Sequence, residues 1–369
     1  KTKALFISDE FKGTVKGIKT FSVSINKSLE KKKKAEIPSL KENDPACYLF
    51  TSGTTGTPKI VVLTHKNIFA TAMSTSEVVH MSEKDIMLCI LPLYHVYALA
   101  ACFAGPFARG ASFIYQTSFK GPDIIKSLAE KPITLFPAAP VLWEMFLDGI
   151  LNRVRAQSDF KYKLFIFFLE YGGIMRKIGL APLVNKIFDP VHEVLGKNHR
   201  FLISGGAPLK DKYRKYYSNM GFLLLEGYGL SETTGPITLP DPENNVTGSV
   251  GKPTPGNEIK IKNINEDGIG EIWFRGDSIM PGYYKNERAN KEVFDDKGFF
   301  NTGDLGRIDK EGNLFLTGRV KNVIVLSSGK NVYPEELESF YSQSPLIEEI
   351  AVFGLEKDGA EQVYAVIVP

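Results

Sequence analysis

The sequence predicts an α/β protein: a large multi-layer domain of helix-covered sheets, a small β-rich subdomain, and the start of a small α+β C-terminal domain. Three observations carry this. Strand-like apolar runs alternate with helical patterns across 46–247, which argues a mainly parallel sheet with helices packed on it. At 248–320 the texture changes to short strands broken by Gly, Pro and Asn turns. A chain of 369 residues also exceeds one ordinary core, so at least two packed units are expected.

The elements follow in order. Residues 1–44 are Lys-rich, and the run Lys31-Lys32-Lys33-Lys34 ahead of Pro38 reads as a solvated connector. Strand-like runs at 47–50, 60–63, 86–91, 112–115 and 133–136 alternate with helical patterns at 67–79, 122–130 and 141–151. Segment 151–200 is a helical insert, aromatic and basic, with nine Lys and Arg against four Asp and Glu. Strands resume at 201–203 and 222–225. A domain boundary is expected at Lys321, dividing 1–320 from 321–369. The last part carries a helix near 334–344 and strands at 349–353 and 363–368.

Composition narrows the class. Apolar and charged fractions of 43% and 24% are those of a soluble globular protein. With 45 basic and 42 acidic side chains, nucleic acid is not an expected partner. Cys47, Cys89 and Cys102 lie in apolar text without metal-ligand or redox spacing, as buried thiols of a reducing compartment do. Two greasy stretches, 91–108 and 164–184, are interrupted by His95 and Pro106 and by Glu170, Arg176 and Lys177, so neither reads as a spanning helix. The first residue is not Met, and strand-like text stands at both ends, so the chain is expected to be part of a longer protein.

The strongest local signal is Thr51-Ser52-Gly53-Thr54-Thr55-Gly56-Thr57-Pro58-Lys59, between two strand-like runs. Glycines let backbone N–H groups approach a ligand, and five hydroxyls with one ammonium suit a polyphosphate. The Walker pattern fails, because Pro58 precedes Lys59 and Ile60 follows it.

This loop resembles the phosphate loop of the adenylate-forming superfamily: acyl-CoA synthetases, luciferases and peptide-synthetase adenylation domains. Further motifs stand in that superfamily's order. Pro92-Leu93-Tyr94-His95 resembles the segment whose His lines the acyl pocket. Ser204-Gly205-Gly206-Ala207-Pro208-Leu209 resembles the loop that packs on adenine. Glu226-Gly227-Tyr228-Gly229-Leu230-Ser231-Glu232-Thr233 is similar to the adenine and magnesium motif, with Ser231 where most relatives have Thr. Gly303-Asp304 resembles the ribose-binding pair, and Gly318-Arg319-Val320-Lys321 the interdomain hinge.

The resemblance implies ATP, Mg²⁺ and coenzyme A as cofactors and roles for particular residues. Lys59 and the Gly53–Thr57 amides would hold phosphates, and Glu232 the metal. Tyr228 would stack on adenine, its ring face bare between two glycines. Asp304 would bind ribose, Arg319 the ribose or α-phosphate, and His95 would place the carboxylate. Lys321 would be the hinge of a mobile C-terminal domain, and Ser328 and Gly329 would line the coenzyme A channel. The superfamily's adenylating Lys, near the end of its small domain, has no counterpart, since no Lys follows Lys357.

The insert at 151–200 and the text from Lys321 to Pro334 resemble the long-chain fatty acyl-CoA synthetase branch, so a medium- or long-chain fatty acid is the expected substrate. Cytoplasmic placement is expected. The basic, aromatic insert suits peripheral contact with an anionic membrane, and it equally suits a helical layer packed on the large domain. Two other functions share these residues: an enzyme of the same fold with a carrier-protein acceptor, and a non-catalytic ATP-binding scaffold.

Overall fold

The computed structural model describes residues 4–7, 19–22, 39–51, 58–326, 330–342, 344, 346–357 and 360–369. The chain forms two compact units. In the first, 1–41, strands Ala4–Ile7 and Lys19–Ser22 pair in parallel. All other elements belong to the second, 42–369.

A five-stranded parallel sheet is its centre, in spatial order Ser112–Tyr115, Ile86–Cys89, Leu135–Ala138, Phe201–Ser204, Leu224–Glu226. Its strands are short and almost wholly apolar because both faces are covered. Alternate side chains go to opposite cores. Leu88, Phe136, Leu202 and Leu224 join Ile124, Trp143, Leu169, Phe188 and Tyr217 from the helices on one face. Met87, Cys89, Leu135, Phe201, Ile203 and Leu225 join Val79 and Cys102 on the other. The chain moves one way from Ile86–Cys89 to Ser112–Tyr115 and the other way to Leu135–Ala138. That reversal opens a crevice beyond the carboxyl ends of the strands.

The first two strand-like runs do not enter this sheet. Pro45–Thr51 and Lys59–Thr64 form an antiparallel hairpin, and Gly282–Tyr283 pairs on its other edge. The connection between them is too short for the crossover that a parallel pair requires. At the end of the hairpin Thr64 caps the helix His65–Val78, in a reciprocal capping box with Asn67. The Asn67 amide also donates to the carbonyls of Asp277 and Ile279 at 2.8 and 2.9 Å. One capping residue therefore ties the helix to the β-rich region.

That region holds a four-stranded antiparallel sheet of Asn257–Lys262, Gly270–Gly276, Phe300–Ile308 and Leu314–Arg319. It shares a core with the hairpin through Val61, Leu63, Tyr228, Phe274, Tyr283 and Phe300. The insert consists of helices Asp159–Lys177 and Ala181–Leu195, after a helix Pro140–Gln157 that runs past the expected end at 151. The greasy run after His95 contains a seven-residue π-helix, Ala98–Ala104. Past Arg319 come the two-residue strands Ile324–Val325 and Asn331–Val332, the helix Pro334–Tyr341, and the hairpin Glu349–Lys357 with Ala360–Val368. No helix among the described residues is long and apolar enough to cross a membrane.

Candidate nucleotide and acyl site

The motifs converge because they follow strand ends. The segment with His95 leaves Ile86–Cys89, Gly205 and Gly206 leave Phe201–Ser204, and Gly227 to Glu232 leave Leu224–Glu226. These loops enclose a cavity of ≈ 680 Å³ that Thr51, Lys59, Tyr283, Arg319 and Lys321 also line. Thr51 and Lys59 are paired neighbours at the turn end of the hairpin, and both line the cavity. Ser52, Gly53, Thr54, Thr55, Gly56 and Thr57 themselves lie outside the described residues, as do Ser328 and Gly329. A second cavity of ≈ 750 Å³ shares Gly206, Gly227 to Leu230 and Arg319, and adds Ala207, Glu226 and Asp304.

Backbone geometry explains two glycines. Gly206 has φ +89°, in the left-handed region. A Cβ on Gly229 would stand 1.8 Å from the Gly235 carbonyl oxygen, so no other residue fits there. Ser231 and Glu232 open a short 3₁₀ turn, and the Glu232 carbonyl accepts from the Met280 N–H at 2.9 Å. The Glu232 carboxylate accepts from the Tyr283 hydroxyl at 2.9 Å. The Lys59 ammonium lies 4.9 Å from the centre of the same ring.

Tyr228 is not a bare face. It is 8% exposed within the β core, although it lines both cavities. Its hydroxyl donates to Asp304 at 2.6 Å, and the other Asp304 oxygen meets Arg319 at 3.1 Å. Burial raises the Asp304 pKa above the ordinary carboxylate value. Tyr228 and Arg319 pull it down without overcoming burial, and the charges of Glu335 and Glu232 add to the rise. Burial, with the Asp304 charge beside it, also holds the Tyr228 phenol far above its usual value, so it stays a donor. The Glu226 carboxylate is engaged by Arg214, at 2.9 Å through one pair of atoms, and Arg214 also meets Asp211. The ion pair fixes that acid at the wall of the second cavity.

His95 is exposed at the cavity, its backbone N–H donating to the Pro92 carbonyl at 2.9 Å. Two residues on, the hydroxyl of Tyr97 is buried, lines the same cavity, and has no partner among the described residues. The cavity has an apolar lining as well, from Val79, Met81, Met87, Ala101, Ile203 and Leu239. Sequence reasoning missed Tyr97, Tyr283 and Arg214. Tyr97 lies two residues past the Pro92–His95 motif and was within reach. Tyr283 meets Glu232 across 51 positions with no local signal.

No group of three His, Cys, Asp or Glu side chains among the described residues could hold a metal ion. Mg²⁺ keeps several waters and takes one or two carboxylates with substrate phosphates, so a single carboxylate at the cavity such as Glu232 is compatible with it.

A crevice beyond the ends of parallel strands, lined by Lys59 from the hairpin and by the exposed Arg319 that pairs with the buried Asp304, has the form of a ligand site in an α/β protein. The chain belongs to the AMP-binding enzyme family, which matches residues 7–284. It is 32% identical over 327 residues to the peroxisomal long chain acyl-CoA synthetase 6 of Arabidopsis thaliana, across 85% of this chain and 46% of that protein. It is 30% identical over 354 residues to long-chain-fatty-acid–CoA ligase 1 of Saccharomyces cerevisiae, across 91% of this chain and 50% of that one. Among solved structures it resembles the o-succinylbenzoate coenzyme A synthetase of Bacillus subtilis in complex with ATP and magnesium ion. The TM-score is 0.78 at 26% identity, over 99% of this chain and 69% of that one. The chain spans about half the length of the curated relatives it matches.

Proposed function

We propose that this protein activates a medium- or long-chain fatty acid with ATP and passes the acyl group to coenzyme A. The observation that carries the reading is the mixed lining of one cavity. Lys59, Glu232 and Arg319 supply charge, while Val79, Met81, Met87, Ala101, Ile203 and Leu239 supply an apolar wall. A carboxylate oxygen of the acid bonds to the α-phosphorus as the bond to pyrophosphate breaks. The coenzyme A thiol then takes the acyl group, and AMP leaves. Two anions must meet in the first step, so fixed positive charge from Lys59 and Arg319 lowers its barrier. Mg²⁺, when bound at Glu232, would neutralise phosphate charge. Asp304 would accept ribose hydroxyls, and Tyr228 would orient Asp304 rather than only stack. Names of the relatives as long chain acyl-CoA synthetases support the substrate class.

Lys321 is read as the hinge between 1–320 and a C-terminal domain, because it lies in the short turn Val320–Asn322 directly after the strand Leu314–Arg319. Lys321→Pro, which fixes φ, is expected to slow thioester formation more than adenylation; equal slowing would contradict the hinge. The insert is read as a cytoplasmic face resting on an anionic bilayer. Phe160, Leu164, Phe167, Tyr171 and Ile174 form an exposed stripe at helical spacing, with Lys161, Lys163 and Lys177 beside it. Co-sedimentation with anionic but not neutral vesicles supports that placement.

The test of the whole reading is acid-dependent ATP–pyrophosphate exchange by the natural protein with acetate, octanoate and palmitate. Each buried CH₂ contributes ~0.8 kcal/mol, so kcat/KM is expected to rise roughly fourfold per methylene until the apolar part is full. An optimum at acetate would contradict it.

A further inference from the structure

We propose that Tyr283 is a positioning residue that sets both charges facing the triphosphate, the Glu232 carboxylate and the Lys59 ammonium. The proposal rests on the nucleotide-site reading above. Its hydroxyl donates to Glu232 Oε1 at 2.9 Å, and its ring lies under the Lys59 ammonium, 4.9 Å from the centroid. The side chain is itself immobilised. Tyr283 is 7% exposed, and its backbone pairs with Val61 in the strand that Lys59 begins. Its N–H donates to the Asn290 side chain at 2.7 Å, and Asn290 donates back to its carbonyl at 3.2 Å. The neighbouring Gly282, at φ +148°, has Asn290 atoms 2.9 Å from where a Cβ would be, so the turn that presents Tyr283 needs glycine.

The chemistry matches this placement. A carboxylate that takes one strong donor keeps a fixed orientation, and a group behind a metal ligand tunes the ligand without touching the metal. The ring face offers Lys59 a cation–π seat that holds it at the hairpin end between turnovers.

The test measures binding of ATP and Mn²⁺ separately from turnover. ATP affinity is titrated without metal by calorimetry, and Mn²⁺ binding to the protein–ATP complex is followed by electron paramagnetic resonance. Tyr283→Phe keeps the ring. It is expected to leave metal-free ATP affinity within about twofold and to require about tenfold more Mn²⁺ for half-saturation. Tyr283→Leu removes the ring too, so metal-free ATP affinity falls as well. In a Glu232→Gln background, Tyr283→Phe adds nothing. Unchanged Mn²⁺ dependence in Tyr283→Phe, or an equal loss of metal-free ATP affinity, overturns the proposal. Should Tyr283→Phe fail to fold, Glu232→Asp withdraws the carboxylate from the same hydroxyl and is expected to give the same Mn²⁺ shift; no shift overturns the proposal. If the wild-type protein binds ATP no better with metal than without, the reading of Glu232 fails and the proposal falls with it.

Discussion

Asp85 and Asp304 are both buried, at 1% and 6% exposure, yet their surroundings treat the charge in opposite ways. Asp85 lies at the amino edge of the parallel sheet. It accepts from the Ser82 N–H at 2.9 Å, from Thr134 at 2.8 Å, and from Arg200 at 2.8 Å. Thr134 and Arg200 each lead into a strand, so this one carboxylate ties three strand starts together. Burial pushes the Asp85 pKa up, but Arg200, the Ser82 amide and Thr134 outweigh it and hold it below the ordinary value. Asp304, at the cavity, has Tyr228 and Arg319, and burial wins. A carboxylate has about four acceptor sites, so two partners leave room for ligand hydroxyls. Asp85 is met by three partners of its own chain, whereas Asp304 keeps acceptor capacity, as the proposed ribose contact requires.

The largest effect is expected at Glu232. Glu232→Gln should lower pyrophosphate exchange by about 10²- to 10³-fold, the scale of losing one electrostatic contact to a transition state. Thermal unfolding should be nearly unchanged, because the amide can still accept from Tyr283. Wild-type exchange would remove Glu232 from the site.

Next is Asp85. Asp85→Ala removes the acceptor of the Ser82 N–H, the nearer acceptor of the Thr134 hydroxyl and the carboxylate partner of Arg200, and should destabilise the fold by about 2–3 kcal/mol. Its sign with pH follows from the lowered pKa. The contribution is present above the unfolded carboxylate pKa and is lost as pH falls through the folded one. The variant should therefore show a flatter acid limb in urea unfolding measured from pH 6 downward; an unchanged limb would contradict the scaffold role.

The smallest stability effect is expected at Asp304, whose raised pKa has the opposite sign. Its contribution is present below the unfolded pKa and is lost as pH rises through the folded one. Asp304→Asn should thus leave unliganded stability at pH 7 unchanged or slightly raised, by less than about 1 kcal/mol. A loss like that of Asp85→Ala would show that Asp304 belongs to the scaffold.

The same contrast explains what the sequence disclosed. Strands such as Phe201–Ser204 are legible because burial on both faces makes them short apolar runs, and the motifs that follow them mark the cavity. The π-helix Ala98–Ala104 was not legible as a helix. Ala98, Ala100 and Cys102 are fully buried, and the run has no polar face to show a period. The hairpin Pro45–Thr51 with Lys59–Thr64 carried the apolar text of the parallel strands, and only the short connection distinguished it. Asp304 was found through Gly303 beside it. The hydrogen bond from its partner Tyr228 spans 76 positions and has no trace in local text. Long-range side-chain pairs, and elements without a polar face, are what the one-dimensional pattern hides.

The most direct measurement is calorimetric titration of ATP with Mg²⁺ into the folded Asp304→Asn and Asp85→Asn variants beside the wild type. The account predicts that Asp304→Asn loses affinity by at least about tenfold, as two charge-assisted contacts worth ~1.5–3 kcal/mol each are weakened. Asp85→Asn should bind as the wild type does while melting at a lower temperature. Retained affinity in Asp304→Asn, with the loss in Asp85→Asn instead, would contradict it.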